Sequence, residues 1–347
     1  MSSIIRECQR KNFNFFILHT NQHYSGNLDK IFFEELELPN PKYNLRVGSG
    51  SHAEETGKML IRIEKVLLKE KPDIVLVEGD TNSVLAGALV TTKLHLKIGH
   101  VEAGLRSYFR EMPEEINRIL TDHCSDFLFA PTKKAKEILI GEGISKEIIF
   151  ITGNTIVDAV YQNLKLAKRK SKILKRLKLK KKKYFLVTAH RAENVDKKER
   201  LEGILKGLKL VSSKFNLPII YPIHPRTQKR IEQFKLKIPK EIAFIEPIGF
   251  LDFLQLEANA KLVLTDSGGV QEETCVLKTP CVTLRDNTER PETLKVGSNI
   301  LVGANPKRIL KGVKKTMNKK RNWKNPFGDG KSGARIMKII SKKLKYA

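Results

Sequence analysis

The sequence predicts an α/β protein built from two doubly wound domains. Three observations carry that expectation. The chain has 347 residues, more than one hydrophobic core usually serves. Its apolar residues gather in short continuous runs, the mark of parallel strands buried on both faces. Helix-length segments separate those runs, as a parallel sheet requires.

The first domain opens on "SSIIRECQRKN", which reads as the end of a helix, and "FNFFILHT" follows as a strand. "PDIVLVEGD" is the next strand, introduced by Pro72 and closed by Gly79 and Asp80. "TNSVLAGALVTTKLH" reads as a helix capped by Thr81 or Asn82. "KIGHVEA", "DFLFAPT" and "EIIFITGN" continue the series. From Leu164 to Lys183 a lysine-rich stretch carries only a partial apolar stripe and reads as an exposed bridging helix. "YFLVTAH", "LPIIYPIHP", "IAFIEP", "KLVLTDSGG", "TPCVTLRD" and "SNILVGA" form the second series. The expected division is 1–168, a bridging helix at 169–183, and a second domain at 184–330, with a helix at 331–347 packing back on the first. Two such domains facing each other would form a cleft at the C-terminal ends of both sheets, where open α/β sheets bind ligands.

Composition narrows the class. No apolar run approaches the roughly 20 residues of a membrane span, and the start lacks an apolar core of signal-peptide length. A cytoplasmic protein is expected. Cys8, Cys124, Cys275 and Cys281 form no Cys-x-x-Cys pair and have no histidine cluster beside them, so buried thiols are expected and no metal. The formal net charge is +27. Lysine dominates it, and much of it falls in "KLAKRKSKILKRLKLKKKK" and "KRILKGVKKTMNKKRNWK". Both stretches lack interleaved aromatics and arginine-led base readout, so a solvated face is expected and no nucleic-acid partner.

The strand ends carry the chemistry. Asp80, Glu102, Asn154, His190 with Arg191, Glu193 and Asn194, His224 with Arg226, and Ser267 with Gly268 and Gly269 each follow an apolar run. A bland strand can end in any turn residue; a whole series of polar ends points to a site. "TDSGGVQEE" offers amides and a serine at a helix N-terminus, either an anion site or a tight turn with a serine cap. Glu272 and Glu273 beside it would repel phosphate and suit neutral hydroxyls. Arg285 and Arg290 in "RDNTERPE" could fork onto an oxyanion or pair with Asp286 or Glu289. His190 could be an acid, a base or a structural histidine. Asp80 and Glu114 are candidate acids or bases, or helix caps, Glu114 sitting behind Pro113. Glu102, followed by Ala103 and Gly104, begins no helix.

Together "TNQHY", "EGDTNSVLAG", "GHVEAGLRS", "PEEINR", "FITGNTIVDA", "TAHRAEN", "YPIHP", "TDSGGVQEE", "RDNTERPE" and "NPFGDGKSGARI" resemble the non-hydrolysing UDP-N-acetylglucosamine 2-epimerases, from about Ser3 to the C-terminus. The resemblance implies two Rossmann-like domains of the glycosyltransferase-B type and a homodimer without a cofactor. It implies interconversion of UDP-N-acetylglucosamine and UDP-N-acetylmannosamine by elimination and re-addition of UDP through 2-acetamidoglucal. It assigns proton handling to Asp80, Glu102, Glu114 and His190, with Glu115 and Arg118 orienting the carboxylates or capping the helix, and Glu111 in a mobile loop. UDP would lie on the second domain: Ser267, Gly268 and Gly269 on phosphate, Glu273 on the ribose hydroxyls, Arg290 and Phe253 completing the pocket. Gln22, His23, Arg191 and His224 resemble positions where some bacterial members bind a second substrate molecule as activator. Other enzymes on such a fold, a UDP-sugar glycosyltransferase or a hydrolysing epimerase, are the alternatives, together with an inactive nucleotide-sugar binder. One departure stands out. Family members begin about twenty residues earlier, with a strand and a Gly-Thr-Arg-Pro-Glu loop; without them a buried strand is expected to be missing from the middle of the first sheet, exposing backbone groups and core side chains, and the chain is expected to be poorly stable and weakly active.

Overall fold

The computed structural model describes residues 1–21 and 33–344. Gln22 and His23 lie outside the described residues. The chain divides into two compact units, one made of Met1–Ala159 and Phe327–Ala347, the other of Val160–Pro326. The first passage between them falls within a helix, ahead of the residue-168 boundary expected from the sequence.

The first unit runs α1 (Ser2–Arg10), β1 (Leu18–His19), β2 (Tyr43–Asn44), α2 (His52–Glu70), β3 (Ile74–Glu78), α3 (Asn82–Lys93), β4 (Lys97–Val101), α4 (Pro113–Cys124), β5 (Phe127–Ala130), α5 (Lys133–Gly141), β6 (Ile149–Ile151) and the start of α6 (Thr155–Lys170). Its sheet has the order β3-β4-β5-β6, all parallel, with His100 opposite Val77 on one side and Leu128 on the other. β1 and β2 form a separate parallel pair. Among the described residues β3 is therefore an edge strand, and its five residues are all half-buried. Apolar cores form on several sides of these strands. Ile4 and Cys8 of α1 pack with Val101, Phe129 and, from the far end of the sequence, Ile336, Met337 and Ile340. Met59, Ile63 and Leu67 of α2 pack with Ala86 and Val90 of α3.

The second unit runs α7 (Ile173–Arg176), β7 (Phe185–Thr188), α8 (Ala192–Val195), α9 (Lys198–Phe215), β8 (Ile219–Pro222), α10 (Pro225–Gln233), β9 (Ile242–Ile245), α11 (Phe250–Asn259), β10 (Leu262–Thr265), α12 (Gly268–Val276), β11 (Cys281–Thr283), α13 (Pro291–Lys295) and α14 (Pro306–Met317); α15 (Ser332–Leu344) returns to the first unit. Its sheet is parallel in the order β11-β10-β7-β8-β9. The order reverses at β7, which lies between β8 and β10. The crevice at such a reversal, beyond the carboxyl ends of the strands, is where doubly wound sheets take ligands.

The lysine-rich stretch is not one bridging helix. α6 ends at Lys170, and Ser171 turns its hydroxyl to Asp252, 2.5 Å away. Only the short α7 follows before Lys178 and Lys182 take left-handed backbone conformations. Ile173 is nevertheless buried, packing with Tyr184, Leu186 and Leu256 of the second unit.

Candidate active site

In the first unit, two neighbouring strands end in carboxylates. β3 runs through Gly79, at φ +88°, into Asp80; β4 runs into Glu102. Glu102 has φ +70°, a conformation that costs a non-glycine residue about 1–2 kcal/mol. A Cβ placed on Gly79 would lie 3.8 Å from Glu102 Oε2, so the two strand ends bring these groups together. Asp80 is not the helix cap: Thr81 precedes α3, without a side-chain capping bond. Instead Asp80 Oδ2 accepts from Arg118 Nη2 at 2.6 Å, and its carbonyl accepts from Asn117 Nδ2 at 2.9 Å.

α4 is the organising helix. Pro113 occupies its first turn, as a residue without an N–H can, and Glu114 and Glu115 follow where the helix dipole favours acids. Glu114 is half-buried, one turn before Arg118. Glu115 is buried and accepts from the Ser107 amide, the Ser107 hydroxyl and the Tyr108 amide at 2.8–2.9 Å, and also pairs with Arg118. Burial pushes its carboxyl up, but the Ser107 amide, Arg118 and the Tyr108 amide outweigh that and hold it below the usual range. Glu115 thus anchors the start of the "SYFRE" segment and holds Arg118 against Asp80.

In the second unit, the ends of β7 and β10 meet across the reversal point. Asp266, fully buried, accepts from the amides of His190 and Arg191 at 3.0 Å and from Asn194 Nδ2 at 3.0 Å. His190 Nδ1 is 3.7 Å from Asp266 Oδ1, beyond hydrogen-bond reach. The His190 ring stacks on that of His224, centroids 5.5 Å apart and 28° between planes. His224 Nδ1 accepts from the Arg226 amide at 3.1 Å, which caps α10.

α12 begins beside these groups, at the end of β10. Ser267 precedes it and makes no capping bond with its side chain. The two glycines differ in role. A Cβ on Gly268 would come within 2.3 Å of Glu289 Oε1, whereas one on Gly269 would meet nothing within 4 Å. Only Gly269 leaves open space for an approaching ligand. Gly268 is required by Glu289.

Arg285 is fully buried and ends in three acceptors: Glu193, Glu289 and Asn287, each at 2.9 Å. Of the two readings open for this arginine, the salt bridge is the one observed, and Asp286 pairs with Arg200 instead. Burial pushes Glu289 up, but Arg290, Arg285 and Arg191 together hold it down at about 2. Arg290 Nε lies 2.9 Å from Glu272 Oε1. Glu273 faces Glu257, which is fully buried on α11 with no donor for either carboxylate oxygen. Burial raises both carboxyls, Glu273 to about 7. Phe253, on α11, is half-buried against Val270 and its neighbours.

Asp266, Glu257 and the buried pair His100 and Asp122 were not singled out from the sequence, and Glu289 only as a salt-bridge partner for Arg285 or Arg290. Asp266 and His100 stood inside strand-end motifs; Glu257 and Asp122 carry no local signal. Among the described residues no group of three His, Cys, Asp or Glu is placed to hold a metal ion, and no helix is long and apolar enough to cross a membrane.

The family model described as UDP-N-acetylglucosamine 2-epimerase matches residues 6–341. A UDP-N-acetylglucosamine 2-epimerase from Methanocaldococcus jannaschii is 61% identical over 347 residues, 98% of this chain and 95% of its own length. One from Methanococcus maripaludis is 59% identical over 346 residues, with 98% and 94% covered. The crystal structure of the M. jannaschii enzyme in complex with UDP-GlcNAc and UDP superposes with a TM-score of 0.93 over 98% of this chain and 95% of that one.

Proposed function

This chain belongs to the UDP-N-acetylglucosamine 2-epimerase family, and it is an epimerase; from that premise we propose that it interconverts UDP-N-acetylglucosamine and UDP-N-acetylmannosamine without hydrolysis. The observation that carries the reading is the pair of carboxylates, Asp80 and Glu102, at adjacent strand ends, with Arg118 of α4 holding Asp80.

The C2 proton of the sugar has no neighbouring ketone and is weakly acidic. Its removal therefore needs a positioned base acting as the C1–O bond to UDP breaks. The C2–H electron pair forms the C1=C2 double bond of 2-acetamidoglucal, and UDP departs with the C1–O pair. UDP then adds back to C1 while C2 takes a proton on its opposite face. There is no net redox change. Asp80, Glu102, Glu114 and His190 handle the protons, with the clamp from Arg118 holding the Asp80 side chain in place.

The second unit binds UDP. The free amides at the N-terminus of α12, with the Ser267 hydroxyl, receive phosphate at the reversal point of the sheet. Glu273 accepts from the ribose hydroxyls, and Arg290 and Phe253 close the pocket. Arg191 and His224, with Gln22 and His23, are the candidate activator residues. The protein acts in the cytoplasm as a homodimer, with neither nucleic acid nor membrane as partner.

Proton NMR of the purified chain with UDP-N-acetylglucosamine in heavy water tests the reading. UDP-N-acetylmannosamine bearing deuterium at C2 is expected. Free N-acetylmannosamine with UDP, or an unchanged spectrum, overturns it.

A further inference from the structure

His100 lies inside β4, two residues before Glu102, and is fully buried. Its ring meets two partners. Nδ1 is 2.6 Å from Asp122 Oδ1, and Nε2 is 2.9 Å from the Gly79 carbonyl. A carboxylate and a carbonyl both accept and neither donates, so both contacts are bonds only if both ring nitrogens carry hydrogen.

The rest of the cluster fits a charged ring. Asp122 is also fully buried and accepts from the Gly104 amide at 3.2 Å and from Arg106 Nη2 at 2.7 Å. Arg106 in turn forks onto Glu142, Nε at 2.8 Å and Nη2 at 2.6 Å. Two cations and two carboxylates then balance, Glu142 lying at the exposed rim of the cluster with His123 Nε2 3.9 Å away. Burial raises the Asp122 carboxyl, but His100 and Arg106 outweigh it and hold the group below its usual range.

The placement matters more than the charge. Asp122 binds residues on both sides of Glu102: His100 before it, Gly104 and Arg106 after it. Glu102 itself sits in the strained left-handed region and persists there only if its surroundings fix it. The other ring nitrogen holds the carbonyl immediately before Asp80. We propose that His100 is a positioning residue, a doubly hydrogen-bonded imidazolium that locks Gly79 and Asp122 together and so sets the spacing between the Asp80 and Glu102 carboxylates. The catalytic part of this assignment rests on the epimerase reading.

Two experiments on the full chain test it. The first is ¹⁵N-edited NMR of the histidine rings at pH 7.5. Both His100 nitrogens protonated is the expected result; one bare nitrogen overturns the assignment, whatever the enzyme's substrate. The second compares two amide variants. In His100→Asn the side-chain amide nitrogen replaces Nδ1 and releases Gly79; in His100→Gln it replaces Nε2 and keeps the Gly79 bond. With UDP-N-acetylglucosamine, each variant keeps one bond and breaks the link between Gly79 and Asp122, so both are expected to lose kcat by roughly 100-fold, the scale of a 1 Å misplacement, with KM little changed. Equal kcat per folded molecule in wild type and His100→Asn overturns the positioning role. If the wild type shows no turnover, the epimerase reading fails, and the NMR result still decides the state of the ring.

Discussion

Arg118→Met removes the cation that holds both Glu115 and Asp80 while keeping a side chain of similar reach. Breaking a buried ion pair by deleting one partner costs about 3–5 kcal/mol. Two features set this case at the lower end. Glu115, 1% exposed, keeps its bonds from Ser107 and Tyr108. Asp80, 33% exposed, is open enough for water to replace the guanidinium. The expected loss is about 3 kcal/mol, which for a unit of this size lowers its Tm by about 6–12 °C. Scanning calorimetry at pH 7.5 reads it. Turnover should fall by roughly 100-fold as Asp80 loses its clamp. Arg118→Lys keeps the charge but not the fork, and should recover part of both losses. A Tm within about 2 °C of wild type, well inside the expected shift, would refute the reasoning.

Gly268→Ala places a Cβ against Glu289 and should cost about 1–3 kcal/mol, as overpacking does, and weaken UDP binding; calorimetry with and without UDP checks both. Glu289, held down at about 2, contributes stability that is present above pH ~4.5, its ordinary value, and lost as pH falls towards 2, by up to about 3 kcal/mol. Glu289→Gln should flatten that acid limb in urea titrations, and an unchanged slope refutes it. Glu273, raised to about 7, works in the opposite window. Its contribution is present below pH ~4.5 and is lost as pH rises through about 7. Glu257→Gln should shift that loss, and identical stability curves from pH 4.5 to 8 would count against the shared pair. Asp158 accepts from the Ser332 and Gly333 amides at 3.0 and 3.1 Å, so Asp158→Ala should cost about 1–2 kcal/mol, as loss of a helix cap does, and loosen α15 in hydrogen exchange.

What was legible in the sequence follows a physical divide. Parallel strands buried on both faces write themselves as apolar runs, so the doubly wound class and the polar strand ends could be read directly. Asp80, Glu102, His190 and Ser267 all sit where a run stops. The partners of those residues could not be read. Arg118 reaches Asp80 and Asp266 reaches the His190 amide because of sheet order and register, which no local pattern records. Charge was misleading for the same reason. The lysines after Leu164 suggested one continuous helix, but the helix ends at Lys170, and Ser171 bonds to Asp252, far along the chain. The two glycines of "TDSGG" looked alike, and only the position of Glu289 separates them.

The division of the chain also bears on the order in which the protein is made. Val160–Pro326 is one uninterrupted segment, whereas the first unit needs Ser332–Leu344, synthesised after all of it. That helix supplies Ile336, Met337 and Ile340 to the core shared with Ile4 and Cys8, and Gly333 lies against the Ser3 backbone, where an added Cβ would be 3.0 Å away. Domains generally fold as units while the ribosome is still working. Here the later-encoded unit can close first, and the strands bearing Asp80 and Glu102 wait half-covered until α15 emerges. Chaperone demand should therefore concentrate on the earlier half of the message, and a stalled ribosome anywhere before codon 332 leaves the carboxylate unit incomplete.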